Sequence, residues 1–281
     1  MLPANSKRAG RPVTAQPDCL VNARAAAVPS LLWDERSKRV FWVDAPSGRV
    51  AAVSLVSGVQ HAWSLPCPVS TIALCGDDRL LAVLADGAYL FDLCTHDLHF
   101  LAALSGPLPP GAVGPDGRLW IAGGDGRITR LHSDGRVSGL EVDETDPMSG
   151  LSWSADGRSL YASGGVWSFE PEAVSLVRRS HFPVVREAAG GAIDAEGAYW
   201  RCAPACIERL APDGELLQSV RLPVPLPSAC CFAGPDLKLL LIASSRDGLA
   251  ERDALQHTLS GGLFMLPVAV PGLRVRRFPA A

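Results

Sequence analysis

The sequence predicts an all-β fold, a single-domain six-bladed β-propeller, and two observations carry this prediction. First, runs of alternating apolar and polar residues recur along the chain, each broken by a turn of the Asp-Gly or Glu-Gly type, which is typical of β-hairpins. The clearest examples are LSWSADGRSLY at 151–161 and AVGPDGRLWI at 112–121. Second, no segment sustains an apolar period of 3.6 residues beyond about two helical turns, so we expect only a short helix around 247–258.

The hairpin turns recur six times at a nearly constant interval. A period near 40 residues is the size of one four-stranded propeller blade. The regular interval and the lack of a mid-chain linker argue against the alternative, a pair of β-sandwiches. We therefore expect a disordered tail at 1–17 and one propeller domain at 18–281. The turn markers, 39 to 41 residues apart, are Arg36, Asp77, Asp116, Asp156, Glu196 and Asp236.

The composition argues against several classes of partner. The 281 residues are 48% hydrophobic and 20% charged, with a formal net charge of −3. This balance predicts neither a nucleic-acid partner nor a membrane surface. No apolar run approaches the roughly 18 residues of a membrane-spanning helix, and the basic N-terminus lacks the apolar segment of a secretory signal. The eight cysteines, mostly in apolar stretches, are expected to be buried and reduced, which favours a cytoplasmic location.

Several motifs together resemble the regucalcin/gluconolactonase/luciferin-regenerating enzyme (senescence marker protein) family over nearly the whole chain. This resemblance implies a six-bladed propeller that hydrolyses sugar lactones, with one divalent cation, such as calcium, at the mouth of the central channel. In that family a Glu, two Asn and an Asp surround the cation, which polarises the lactone carbonyl. The matching stretches, in the family's order, are LWDERSKRVFWVD at 32–44, PVSTIAL at 68–74, PDGRLW at 115–120, GLSWSADGRSLY at 150–161, GGAIDAEGAYW at 190–200, LPVPLPSACCFAGPD at 222–236 and GGLF at 261–264.

The family's metal-binding side chains are missing from the matching positions. The Glu position holds Pro29 and the Asp position holds Ala189, while the two Asn positions hold Pro109 and Ser149. Each lies seven residues before its turn marker, so the four are equivalent positions of the repeat. The predicted ring has no carboxylate, amide or imidazole, and two hydroxyls cannot replace the carboxylates that calcium needs, so no cofactor is predicted. The ring is Pro29, Ser70, Pro109, Ser149, Ala189 and Ala229.

No residue is identified as catalytic, but five are candidates for ligand contact. Two of these, Ser70 and Ser149, belong to the ring. Asp146 ends an acidic stretch that is expected to be a solvated loop, although a recruited metal site there stays an alternative. Cys202 is expected to be a buried or idle thiol, and His181 stands in a stretch expected to be a loop that reaches the mouth.

These observations predict a gluconolactonase-like propeller that has lost metal-dependent lactone hydrolysis and binds a small molecule, a sugar acid or lactone, at its channel mouth. Two alternatives stay open. One is an active lactone or ester hydrolase that uses other residues or a recruited divalent cation; the other is a protein-interaction propeller. The sequence carries no signature of an oligomeric state. A recurring set of tryptophans is expected to pack between blades: Trp33, Trp42, Trp120, Trp153 and Trp200.

Overall fold

The chain folds as a six-bladed β-propeller in the computed structural model, as the repeat predicted. Its strands form six four-stranded antiparallel sheets, and each sheet is one blade. Of the tail predicted at 1–17, only Gln16 and Pro17 are described. The structure describes residues 16–76, 78–104, 109–123, 127–142, 148–172, 175–182 and 190–279.

The first strand of the chain, β1 (Asp18–Val21), belongs to the last blade, and consecutive strands build the blades that follow it. From the channel outward, the first blade contains β2 (Leu31–Asp34), β3 (Arg39–Asp44), β4 (Arg49–Ser54) and β5 (Gln60–Ser64). The second contains β6 (Val69–Leu74), β7 (Arg79–Leu84), β8 (Gly87–Asp92) and β9 (Leu98–Ala103). The third contains β10 (Ala112–Val113), β11 (Leu119–Ala122), β12 (Arg127–Leu131) and β13 (Val137–Glu141).

The fourth and fifth blades repeat this order. The fourth contains β14 (Ser152–Trp153), β15 (Ser159–Ala162), β16 (Gly165–Glu170) and β17 (Ser175–His181). The fifth contains β18 (Gly191–Ile193), β19 (Tyr199–Ala203), β20 (Cys206–Leu210) and β21 (Leu216–Arg221).

The sixth blade closes the ring by joining the two ends of the chain. It contains β22 (Pro227–Ala233), β23 (Leu239–Ser244) and β24 (Leu263–Pro267), and β1 pairs antiparallel with β24 as its outermost strand. Helix α1 (Glu251–Gln256) lies between β23 and β24, within the region predicted to be helical. None of the described helices has the length and apolar character that a membrane crossing needs.

The hydrophobic core lies between neighbouring blades, because both faces of each sheet pack against another sheet. All five tryptophans named above are buried, as predicted. Trp120 meets Trp153 of the next blade edge-on, with ring centroids 5.0 Å apart. Fully burying a large apolar side chain contributes about 1.5–3 kcal/mol, so these contacts bind the blades into one ring.

The two faces of the propeller are built differently. The chain starts each innermost strand on one face, the mouth face, and turns into the second strand on the opposite face, the floor face. The C-terminal segment (268–279) crosses the floor face from the fifth blade to the second. There Leu273 N–H donates to the Ile193 carbonyl at 2.9 Å, and Phe278 N–H donates to the Leu74 carbonyl at 2.8 Å.

Arg277 fastens this segment to the first two blades. One of its nitrogens donates to the Cys75 carbonyl at 2.7 Å, and another pairs with the Asp34 carboxylate. Burial alone would raise the pKa of the Asp34 carboxyl, but hydrogen bonds from Ser37, from the Arg36 N–H and from Arg277 outweigh it and lower that pKa. A carboxyl with a lowered folded-state pKa adds stability that is lost as the pH falls through that pKa.

We therefore expect Arg277→Met to weaken the acid sensitivity of folding. The free energy of unfolding of the wild type should fall between about pH 5 and about pH 2, and the variant should lose up to about 1 kcal/mol less over that range. Urea unfolding at each pH measures the difference. Arg274→Met, which breaks an exposed pair with Glu35, is the matched control and should keep the wild-type profile. Identical profiles for wild type and Arg277→Met would contradict this assignment.

Candidate functional site

The innermost strands enclose a cavity of about 130 Å³ at the centre of the propeller. Residues Leu273–Arg276 of the C-terminal segment form its floor, and Ser152, Cys230 and Cys231 also line it. The remaining lining is mostly apolar, with one large side chain from each blade: Leu31, Ile72, Val113, Trp153, Ile193 and Phe232. The C-terminal segment therefore covers the cavity on the side of the floor face.

The described ring positions lie where the chain starts its innermost strands. Pro29 and Pro109 come shortly before β2 and β10, and Ser149 comes shortly before β14. Ser70 is the second residue of β6, and all four residues are half-buried. Ala189 lies outside the described residues. These four described positions thus lie on the mouth face.

In the sixth blade, strand pairing assigns the ring position to Ser228 and not to Ala229. Ser70 is the extra residue of a bulge in β6, and Ser228 is the extra residue of the matching bulge in β22. The hairpin of β22 and β23 has one more residue pair between its bulge and its turn than the hairpin of β6 and β7. Counting seven residues back from Asp236 therefore misses the ring position by one residue. The ring therefore carries a third hydroxyl, which the turn-based count did not find.

These three hydroxyls are engaged by the propeller itself. Ser149 Oγ donates to Ser163 Oγ at 3.0 Å. Ser228 Oγ donates to the Val28 carbonyl at 2.8 Å, and Ser70 Oγ makes a longer contact, 3.4 Å, with a main-chain carbonyl of β7. Each oxygen is therefore held by a neighbouring strand or loop and is not directed at a common point by any contact seen here.

The ring does not fit the divalent cation that the family resemblance implied. A calcium-type cation takes six to eight oxygen ligands, and carboxylates supply most of the compensating charge. The described ring offers neutral hydroxyls from Ser70, Ser149 and Ser228, while Pro29 and Pro109 offer no side-chain oxygen. In the part of the chain that the structure describes, no three His, Cys, Asp or Glu side chains lie close enough together to hold a metal.

A second group of hydroxyls joins the innermost strands of neighbouring blades. Thr71 Oγ1 accepts a hydrogen bond from Gly111 N–H at 2.9 Å, and Ser152 Oγ donates to the Gly191 carbonyl at 2.7 Å. Ser30 contacts both the N–H and the carbonyl of one residue in β6 at 3.4 Å. An innermost strand has one edge without a partner strand, and buried main-chain groups need hydrogen bonds. These hydroxyls supply them.

Cys202 lies on β19 and is fully buried, as predicted, but Cys230 and Cys231 are the described cysteines that line the cavity. A hydrogen bond with Cys230, together with complete burial, raises the pKa of Cys202 well above its ordinary value. Its thiol therefore stays protonated near neutral pH and is not an activated nucleophile. The prediction of burial is wrong for Cys19 and Cys94, which are exposed.

His181 is the last residue of β17, so the prediction of a loop at this residue is wrong. β17 is the outermost strand of the fourth blade, which places His181 at the periphery of the propeller. Its side chain is exposed, and its Nδ1 lies 2.6 Å from Nη1 of Arg178. Asp146 lies outside the described residues.

Comparison with known proteins shows the family directly. The model of the SMP-30/Gluconolactonase/LRE-like region matches residues 29–246. The chain belongs to this family. Among its curated relatives, regucalcin of Sus scrofa is 27% identical over 93% of this chain and 96% of its own length. The 6-deoxy-6-sulfogluconolactonase of Pseudomonas putida is 26% identical over 90% of this chain and 95% of its own length.

Solved structures of family members have the same fold. The calcium-binding regucalcin of Agrobacterium tumefaciens superimposes with a TM-score of 0.81 at 21% identity, covering 94% of this chain and 97% of that one. A gluconolactonase of Xanthomonas campestris gives a TM-score of 0.72 at 20% identity, covering 95% of this chain and 94% of that one. At this level of identity the structures show the shared fold alone.

The hydroxyl that joins the second and third blades gives a stability prediction. Thr71→Val keeps the side-chain shape but leaves the Gly111 N–H without its acceptor, so the free energy of unfolding should fall by about 1–3 kcal/mol. Urea denaturation measures it. Thr129→Val is the matched control, because Thr129 is only half-buried and no hydrogen bond of its side chain is seen among the described residues. It should change stability by less than about 0.5 kcal/mol. Equal losses in the two variants would contradict the assigned role of Thr71.

Proposed function

We propose that this protein is a propeller of its family that has lost metal-dependent lactone hydrolysis and that binds a small sugar acid or lactone at the channel mouth. One observation carries the proposal: the ring positions Pro29, Pro109 and Ser149, together with Ala189 in the sequence, hold neither a carboxylate nor an amide. Without a cation there is nothing at these positions to polarise a lactone carbonyl or activate water.

The ligand class follows from the relatives and from the charge of the ring. Relatives that match over most of this chain are named for sugar lactones, 6-deoxy-6-sulfogluconolactone and gluconolactone. A ring without a cation offers no charge to hold a carboxylate, so the neutral lactone should bind more tightly than the open-chain acid. The mostly apolar cavity behind the mouth suits the ring carbons of such a ligand.

The same proposal places the protein in the cytoplasm. All eight cysteines are free thiols in the structure. Free thiols persist where glutathione and thioredoxin keep them reduced, which is typical of the cytoplasm.

Restoring the family residues tests the loss of the metal site. The wild type should show no saturable micromolar binding of calcium, manganese or zinc in calorimetric titrations. The triple variant Pro29→Glu, Ser149→Asn and Ala189→Asp should gain divalent-cation affinity, because it adds two carboxylates and one amide to equivalent ring positions.

The double variant Ser149→Asn and Ala189→Asp serves as the control, and it should bind more weakly because it has one carboxylate fewer. Micromolar binding by the wild type would overturn the loss of the site. A triple variant without any gain in affinity would contradict the equivalence of the ring positions.

An activity and binding assay tests the rest of the proposal. Hydrolysis of D-glucono-1,5-lactone should equal the spontaneous rate with or without chelator, while the lactone should raise the melting temperature of the protein. Turnover that a chelator removes would indicate a recruited cation, and turnover that resists it would indicate a metal-free hydrolase. Either result would overturn the proposed loss of hydrolysis, and absence of both turnover and binding would favour a protein-interaction propeller.

A further inference from the structure

A buried arginine in the third blade has no carboxylate partner among the described residues. Arg130 lies on β12, is 8% exposed, and stacks over the ring of Trp120 with its guanidinium carbon 5.4 Å from the ring centre. Among the described residues, its Nε and one Nη have no hydrogen-bond partner. A buried guanidinium without an anion is costly, so this position calls for a partner.

The fifth blade shows which partner the same position takes. Arg209 stands opposite Trp200 on the neighbouring strand, as Arg130 stands opposite Trp120. Its Nε donates to the Asp194 carboxylate at 2.7 Å, and its Nη2 donates to the Glu196 carboxylate at 2.7 Å. The equivalent arginine is therefore held by two carboxylates.

A single difference in the turn explains why Arg130 is left without a carboxylate. In the turn between β10 and β11, Gly114 donates its N–H to the Arg118 carbonyl. In the matching turn between β18 and β19, Asp194 donates its N–H to the Ala198 carbonyl. Gly114 therefore occupies the place of Asp194. The remaining carboxylate of this turn, Asp116, accepts the Trp120 indole N–H at 3.0 Å, the role that Asp194 has in the fifth blade.

Besides Trp120, Asp116 has an arginine partner, Arg118. It pairs with Arg118 at 3.2 Å, and the Arg118 side chain is 33% exposed. Burial and the nearby charge of Arg118 both lower the pKa of Arg130, so Arg118 lies close to Arg130 and this partly exposed turn brings Arg130 near solvent.

We propose that Arg130 binds a small carboxylate anion beside this turn on the floor face, in the place that a carboxylate side chain takes in the fifth blade. Arg118 adds positive charge nearby, and Asp116 is the opposing charge, already paired with Arg118. This site uses no residue of the channel or its mouth, so a failure of this proposal would not affect the proposed function.

Formate, the smallest carboxylate, is the probe. At constant ionic strength, formate should raise the melting temperature of the wild type in a saturable way, by roughly 2–4 °C at ten times its dissociation constant. Line broadening of ¹³C-formate on addition of the protein should report the same binding. Arg130→Met should remove both responses.

Two further variants keep the test decisive if Arg130→Met folds poorly. Ser138 stands directly opposite Arg130 on β13, so Ser138→Glu supplies an internal carboxylate within reach. This variant should melt higher than the wild type without formate and should lose the formate response. Arg136→Met, which removes an exposed arginine paired with Asp134, is the matched control and should keep the response.

Three results would overturn the proposal. The first is a wild type whose melting temperature and formate line width do not change with formate. The second is an equal formate response in wild type and Arg130→Met. The third is a full response in Ser138→Glu, which would place the bound formate away from Arg130.

Discussion

The unpaired edges of the innermost strands are the constraint on which this propeller depends. Each innermost strand has a partner on one side only, and its other main-chain groups must find hydrogen bonds at the centre of the ring. Hydroxyls of Ser30, Thr71, Ser152 and Ser228 meet that need by reaching the strand or loop of a neighbouring blade. The blades are thereby joined near the axis, while aromatic side chains join them farther out.

If the family's chemistry is lost, as proposed, this use of hydroxyls accounts for the retained fold. The blades are held by contacts between strands, and of the three described mouth serines Ser70 and Ser149 bond within their own blades, while Ser228 reaches the first blade. Fold and chemistry are carried by different positions of the same repeat, so a family match over most of the chain does not by itself carry the activity.

The six repeats have also diverged from one another at the floor face. The third and fifth blades share an arginine stacked on a tryptophan, yet only Arg209 has carboxylate partners; Arg130 has none among the described residues. One change in a turn, glycine at 114, separates the two. The C-terminal segment (268–279) adds a second asymmetry, because it covers the floor face and lines the central cavity from that side.

The sequence by itself determined the number of blades and their turns, because a 40-residue period and a two-residue strand alternation are local properties. Only the tertiary structure decided what depends on distant partners. β1 completes the sixth blade, Ser228 replaces Ala229 in the ring, His181 ends an outer strand, and Cys202 packs on Cys230. Each of these results from closing the ring, which pairs residues that no local pattern relates.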